Sequence, residues 1–206
     1  MLFIKKDNII IGKTSNSLNV QKGMYEQATD GNGITWEYTL VNQEAHIKWC
    51  KKVNSEEELG ETVTIPSTLD GHSVTLIGGS DNKNIFDDGS VNHFDYTRIK
   101  SIIIPDSVTT IGSHAFEGCS SLTSIEIPES VTSIGDSAFK SCSSLTSIEI
   151  PDSVTIIGGN AFAECSSLTS IEIPSSVTEI GSSAFSGDTI TIYIDNYDTI
   201  TNGFSS

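Results

Sequence analysis

The sequence predicts a solenoid of stacked β repeats, capped at both ends. Three observations point to it. Prolines recur at Pro105, Pro128, Pro151 and Pro174, and phenylalanines at Phe116, Phe139, Phe162 and Phe185, each about 23 residues after the last. The stretches between them, such as IEIPESVTSIGDSAFKSCSSLTS and IEIPDSVTIIGGNAFAECSSLTS, are near copies of one another. Apolar residues make up 36% of the chain and aromatics 7%. That is too little for a thick closed core, and it suits a thin coil whose turns cover one another.

Each repeat reads as one turn of the coil. LTSIEI alternates by two, which makes a short strand with Leu122, Ile125 and Ile127 inward and Ser124 and Glu126 outward. Pro128 ends that strand, because it has no N–H to give to a ladder. SVTSIG supplies Val131 and Ile134 as a second apolar pair on the opposite wall, and Gly135 is read as allowing a tight turn. Phe139 is the bulky core filler, and CSS, with Cys142 buried, returns the chain to the next strand. One turn leaves its apolar side bare; stacking covers it, with like residues meeting in rows about 4.8 Å apart.

Around these repeats the chain divides into four parts. Residues 1–33 are an N-terminal extension that fits no repeat, with a hairpin expected in FIKKDNIII at Asp7-Asn8. Residues 34–62 are a cap, in which WEYTLVNQEAHIKW reads as two strands around Asn42-Gln43. Residues 63–187 hold about five repeats; the first is degenerate, begins at VTIPSTLDGHSVTLIGG, and is swollen by an insertion at 79–98. Residues 188–206 end the coil, with TITIYI as a closing strand.

The L-x-x-I-x-I-P strand, the S-V-T-x-I-G segment, the A-F pair and the C-S-S turn together resemble the BspA-type leucine-rich-repeat family, over roughly residues 60–194. The resemblance implies a right-handed leucine-rich-repeat solenoid, mostly β with short helical or 3-10 turns, and a parallel sheet on its concave face. It also implies a non-enzymatic, surface-exposed module that binds a host or partner protein. A fold does not fix a function, so the residues are weighed individually.

The formal net charge is −16 and the pI about 4.4. Residues 101–206 carry thirteen acids and one base, Lys140. Such a chain repels nucleic acid and anionic membranes and favours a basic protein partner. No apolar run approaches the length that spans a bilayer. The start, MLFIKKDNIIIGK, lacks the small-residue cleavage site of a secretory signal. An extracellular or surface-exposed location is expected nonetheless. The alternative is a component of a larger assembly such as a virion, docked or oligomerised through residues 1–33.

No catalytic residue, cofactor or metal is expected, since H-E-x-x-H, G-x-S-x-G and phosphate-loop motifs are missing from the sequence. The candidate partner-binding residues are two rows and an aromatic group. Glu126, Glu149 and Glu172 share one strand position, and Ser124, Ser147 and Ser170 form the row beside them. The acidic row reads either as a surface for a basic partner or cation, or as a solvated face that opposes aggregation. Ca²⁺ needs six to eight converging oxygens, and a flat ladder does not converge. Phe86, Phe94 and Tyr96, in or beside the insertion, read either as interface anchors or as packing. Asp81, Asp87, Asp88 and Asp95 in the same insertion do not follow the order of a calcium loop. Trp36 and Trp49 are expected to plug the end of the solenoid. Cys119, Cys142 and Cys165 form a row read as buried thiols acting as small hydrophobes.

Overall fold

The computed structural model describes residues 3–6, 9–12, 25–52, 61–78, 83–86, 96–187 and 189–194. Strands β1 (Phe3–Lys6) and β2 (Ile9–Gly12) form the expected antiparallel hairpin, with Lys6 opposite Ile9. The cap is an antiparallel meander of β3 (Glu26–Thr29), β4 (Ile34–Val41) and β5 (Glu44–Lys52). Asn42 and Gln43 join β4 to β5 with φ of 53° and 69°, the two positive values that a tight two-residue hairpin turn requires. A boundary at 33/34 would cut through a hairpin, because β3 pairs with β4. Asp30 holds that turn: its carboxylate accepts from Asn32 N at 2.8 Å, Ile34 N at 3.0 Å and Trp36 Nε1 at 2.8 Å. Trp36 and Tyr38 then lie fully buried against the first repeat, while Trp49 stays half-exposed in edge contact with Tyr25.

The repeats follow. The first contributes β6 (Thr62–Thr64), β7 (Thr68–Leu69) and β8 (His72–Ile77). Each later one contributes two short strands: β9 (Ser101–Ile103) and β10 (Thr110–Ile111), β11 (Ser124–Ile125) and β12 (Ser133–Ile134), β13 (Ser147–Ile148) and β14 (Ile156–Ile157), β15 (Ser170–Ile173) and β16 (Glu179–Ile180). Strand β17 (Thr191–Ile194) is the last described strand and pairs with β15.

Parallel sheets line two walls of the coil. One wall runs β6-β9-β11-β13 and continues as the β15–β17 pair; the other runs from β16 through β14, β12, β10 and β8 into the cap. The second sheet was not foreseen. Its apolar residues are spaced by three, as in Val131 and Ile134, so the alternation that marks a strand is missing from the sequence. The third side of the coil is a run of turns carrying a column of rings. Phe86, Phe116, Phe139, Phe162 and Phe185 succeed one another at 6.5, 5.4, 5.4 and 5.7 Å between centroids. Backbone bonds tie this side together as well, since Phe116 N donates to Ala138 O, Phe139 N to Ala161 O and Phe162 N to Ala184 O, each at 2.8 Å.

The glycine of S-V-T-x-I-G has a different reason from the one its sequence suggested. Gly135, Gly158 and Gly181 are not in the left-handed region. A Cβ on them would lie 2.6, 2.4 and 2.2 Å from backbone nitrogen of the preceding turn. Glycine is required there because two backbones touch. Positive φ falls elsewhere in each turn, at His114, Ser137, Asn160 and Ser183, and again at Gly118, Ser141, Glu164 and Gly187.

Within the 79–98 insertion, segment 83–86 lies in the core, where Ile85 and Phe86 are fully buried. Ile85 N donates to Ala115 O at 3.1 Å, the bond to the next turn's alanine carbonyl that the phenylalanine N makes in the later repeats. Asn84, itself buried, accepts from Phe86 N at 2.7 Å and donates to Glu117 O at 2.7 Å. Tyr96 begins a short 3-10 turn (Tyr96–Arg98) and occupies the place that cysteine holds in later repeats, with Ile99 N donating to Tyr96 O as Leu122 N does to Cys119 O.

Candidate functional site

The wall formed by β6, β9, β11, β13, β15 and β17 is the candidate site. Its inner residues are fixed by burial: Leu122, Ile125 and Ile127 are 0%, 7% and 6% exposed, and their counterparts in later turns repeat the pattern. Alternation along a strand then forces the neighbours outward. Ser124, Ser147 and Ser170 are all exposed, and so are Glu126, Glu149 and Glu172. The register aligns them, with Ser101, Ser124 and Ser147 as direct partners on adjacent strands and Glu172 opposite Tyr193.

The row continues past the glutamates on both sides. Ile103 holds the equivalent position on β9 and is 51% exposed, with exposed Thr64 beyond it on β6; Tyr193 holds it on β17 and is 57% exposed. A second acidic row, Asp106, Glu129 and Asp152, follows the prolines and edges a shallow open depression between the rungs. No group of three or more potential metal ligands converges among the described residues.

Hydroxyl ladders stiffen the edges of this wall. Thr123 Oγ1 donates to Lys100 O at 3.3 Å, and Thr146 Oγ1 to Thr123 O at 3.2 Å. On the other wall Thr109, Thr132, Thr155 and Thr178 each donate to the threonine carbonyl of the turn before. Ser130 and Ser153 donate to Val108 O and Val131 O at 2.6 Å. The abundant serine and threonine thus hold turn to turn.

The remaining candidates separate. Phe86, read from the sequence as a possible interface anchor, is fully buried in the ring column and unavailable to a partner. Tyr96 is half-buried against the core. Phe94 lies outside the described residues, as do Asp81, Asp87, Asp88 and Asp95. Cys119, Cys142 and Cys165 are fully buried, and no disulfide joins any of the chain's four cysteines. Cys142 Sγ and Cys165 Sγ donate to Phe116 O and Phe139 O at 3.3 and 3.2 Å. Burial pushes the Cys119 thiol up to about 12, and raises Cys142 for the same main reason. These thiols are packing groups, not nucleophiles. At the cap, burial and then the Asp70 carboxylate, 2.9 Å from its hydroxyl, hold the Tyr38 phenol well above its ordinary range.

Sequence reasoning named the serine and glutamate rows but missed Tyr193 as a member of the same stripe. Ile103 lies one period of 23 residues before Glu126, whereas Tyr193 lies in a turn two residues shorter than the others.

Comparisons with known proteins agree with this architecture. The family model for the BspA type leucine rich repeat region matches in six copies over residues 90–203. Among solved structures, a leucine rich repeat protein of T. pallidum is 30% identical with a TM-score of 0.59; the match covers 77% of this chain and 66% of that one. A leucine rich cell surface protein of Faecalibacterium prausnitzii is 29% identical with a TM-score of 0.60, covering 86% of this chain and 44% of the other. A leucine-rich repeat protein of Bacteroides ovatus is 29% identical with a TM-score of 0.57, covering 79% and 39%. The chain therefore spans about two thirds of the first and under half of the other two. A search of curated protein sequences finds no match.

Proposed function

Since the chain belongs to the BspA-type leucine-rich-repeat family, we propose that it is an adhesion module, exposed outside the cell, that binds a host or partner protein through the serine–glutamate wall. The observation that carries this reading is the exposed stripe on a rigid sheet. Six side chains of two kinds, Ser124, Ser147, Ser170, Glu126, Glu149 and Glu172, are held outward by buried neighbours on the same strands. Their positions are fixed before any partner arrives, so binding spends little on ordering them. One structural relative is itself described as a cell surface protein, which supports the location. The acidic character of the wall favours a partner with a basic surface.

The test is binding of the full chain to an array of purified extracellular proteins, read by interferometry. The expected result is at least one saturable interaction that weakens about tenfold or more when Glu126, Glu149 and Glu172 are together changed to Ser. Equal affinity for the variant, with an unchanged circular dichroism melt, removes the wall as the binding surface.

A further inference from the structure

We propose that the exposed wall receives one amphipathic α-helix, lying along the coil axis, with three basic residues between two apolar ones on its contact face. This rests on the proposed function and names the partner of the same wall. The starting point is the unpartnered sheet face itself. The two most exposed large hydrophobic side chains among the described residues are Tyr193 and Ile103, at 57% and 51%. Both stand in the row that holds Glu126, Glu149 and Glu172, one on each side of the three glutamates, and exposed Thr64 on β6 continues the row beyond Ile103. Scattered exposed apolar residues need no explanation; two that bracket the glutamates on a rigid wall define a stripe of the order apolar, acid, acid, acid, apolar.

Charge complementarity and spacing select the occupant. The row is flanked on its proline side by further acids, Asp106, Glu129 and Asp152, and its middle calls for lysine or arginine. Rungs of a parallel sheet are about 4.8 Å apart, so the three glutamates span about 9.6 Å and the stretch from Ile103 to Tyr193 about 19 Å. A helix rises about 1.5 Å per residue, and residues seven apart on one face are separated by about 10.5 Å. Apolar residues at i and i+14 with basic ones at i+3, i+7 and i+10 then stay within about 2 Å of successive rungs. An extended strand along the same line fails, because its one-sided residues recur every ~6.7 Å and are out of step by the third rung.

The probe is a synthetic peptide with leucines at i and i+14 and lysines at i+3, i+7 and i+10, locked helical by a lactam on its far face. Two controls have the same composition: one helical with the lysines distributed around the helix, one kept extended by alternate N-methylation. Affinity for the full-length chain is measured by fluorescence anisotropy at low and at physiological ionic strength. The expected result is that the patterned helix binds about tenfold or more tightly than either control. The variant E126Q/E149Q/E172Q removes this preference, and I103S/Y193S reduces it several-fold while leaving the melt of the protein unchanged. If the patterned and distributed helices bind equally, or if I103S/Y193S binds as the parent does, the proposal is overturned. If the extended peptide binds best and E126Q/E149Q/E172Q abolishes its binding, the helix is wrong and the wall survives as a binding surface. If none of the peptides binds, the basic-partner reading of the wall falls with the helix.

Discussion

At the scale of single residues the coil is governed by where backbones touch and where a thiol is enclosed. Gly158 and Gly118 make the first point, because they are glycines for different reasons. A Cβ on Gly158 meets Asp136 N at 2.4 Å and Gly135 carbonyl carbon at 2.5 Å; backbone atoms of a packed turn have nowhere to go. A Cβ on Gly118 finds only the Tyr96 ring edge at an ordinary 3.5 Å, and the cost there is its φ of +76°. Left-handed φ costs a residue with a Cβ about 1–2 kcal/mol, part of which is returned by a less flexible unfolded chain. Gly118→Ala should therefore destabilise by about 1 kcal/mol, and Gly158→Ala by about 2–3 kcal/mol or more as overpacking. Urea melts of the two variants check this, and a smaller loss for Gly158→Ala would show that the turns can move apart. The enclosed thiol gives a pH dependence. Cys119 keeps its proton in the folded state up to about 12, whereas an unfolded cysteine loses it near 8.5. Between those values the unfolded chain binds fewer protons, so stability falls as pH rises, by about 1.4 kcal/mol per pH unit for such a group. Its contribution is intact below about pH 8.5. Melts between pH 8 and pH 11 should show the decline, and Cys119→Ala should make it shallower; an identical slope in the variant assigns the alkaline loss to other groups.

At the scale of elements, what was legible in the sequence followed from period. The LTSIEI strands were read correctly because buried Ile125 and Ile127 alternate with exposed Ser124 and Glu126. The cap strands were read from Asn42-Gln43, and the structure gives that pair the positive φ a two-residue turn needs. The strands of the opposite wall were missed as strands although Val131 and Ile134 were correctly placed inside. Only two residues of each turn pair there, as in Ser133 with Ile156 and Ile134 with Ile157, which is too short for alternation to appear. The first repeat was harder still. Its extra residues enter in two places: a small hairpin, β7 with β8 around Asp70-Gly71, and the segment beyond Gly78. Phe86 thereby reaches the ring column without its expected spacing. Nothing local marks it as buried except Asn84, whose side chain bonds both its own segment and the next turn. The stripe was half legible for a similar reason. Period places Ile103 in the row, 23 residues before Glu126, but not Tyr193, which follows Glu172 by 21 residues and shares the row by register alone.

At the scale of the molecule the dominant fact is charge. A net charge of −16 on 206 residues sets a self-repelling field against a coil whose turns each add to it, and the charged residues of the second half are all acidic but Lys140. In a stacked coil the rows cannot spread apart, because the rung spacing that aligns Glu126 with Glu149 is the one that seats Phe116 on Phe139 at 5.4 Å. Repulsion along the wall is therefore carried as a cost of folding in the free protein, and added salt relieves it. The Debye length falls from about 30 Å at 0.01 M to about 8 Å at 0.15 M ionic strength. The melting temperature should accordingly rise over that range of NaCl, by roughly several degrees, before specific salt effects enter. E126Q/E149Q/E172Q should melt higher than the parent at low salt and gain less from added salt, since its wall has less repulsion left to screen. Salt-ramped calorimetry of the two proteins separates the possibilities. Parallel salt curves would mean that water already screens the row, and that the cost of aligning three carboxylates lies outside the fold. Converging curves would mean that the wall stores repulsion in the free protein, which the basic partner proposed for it would release on binding.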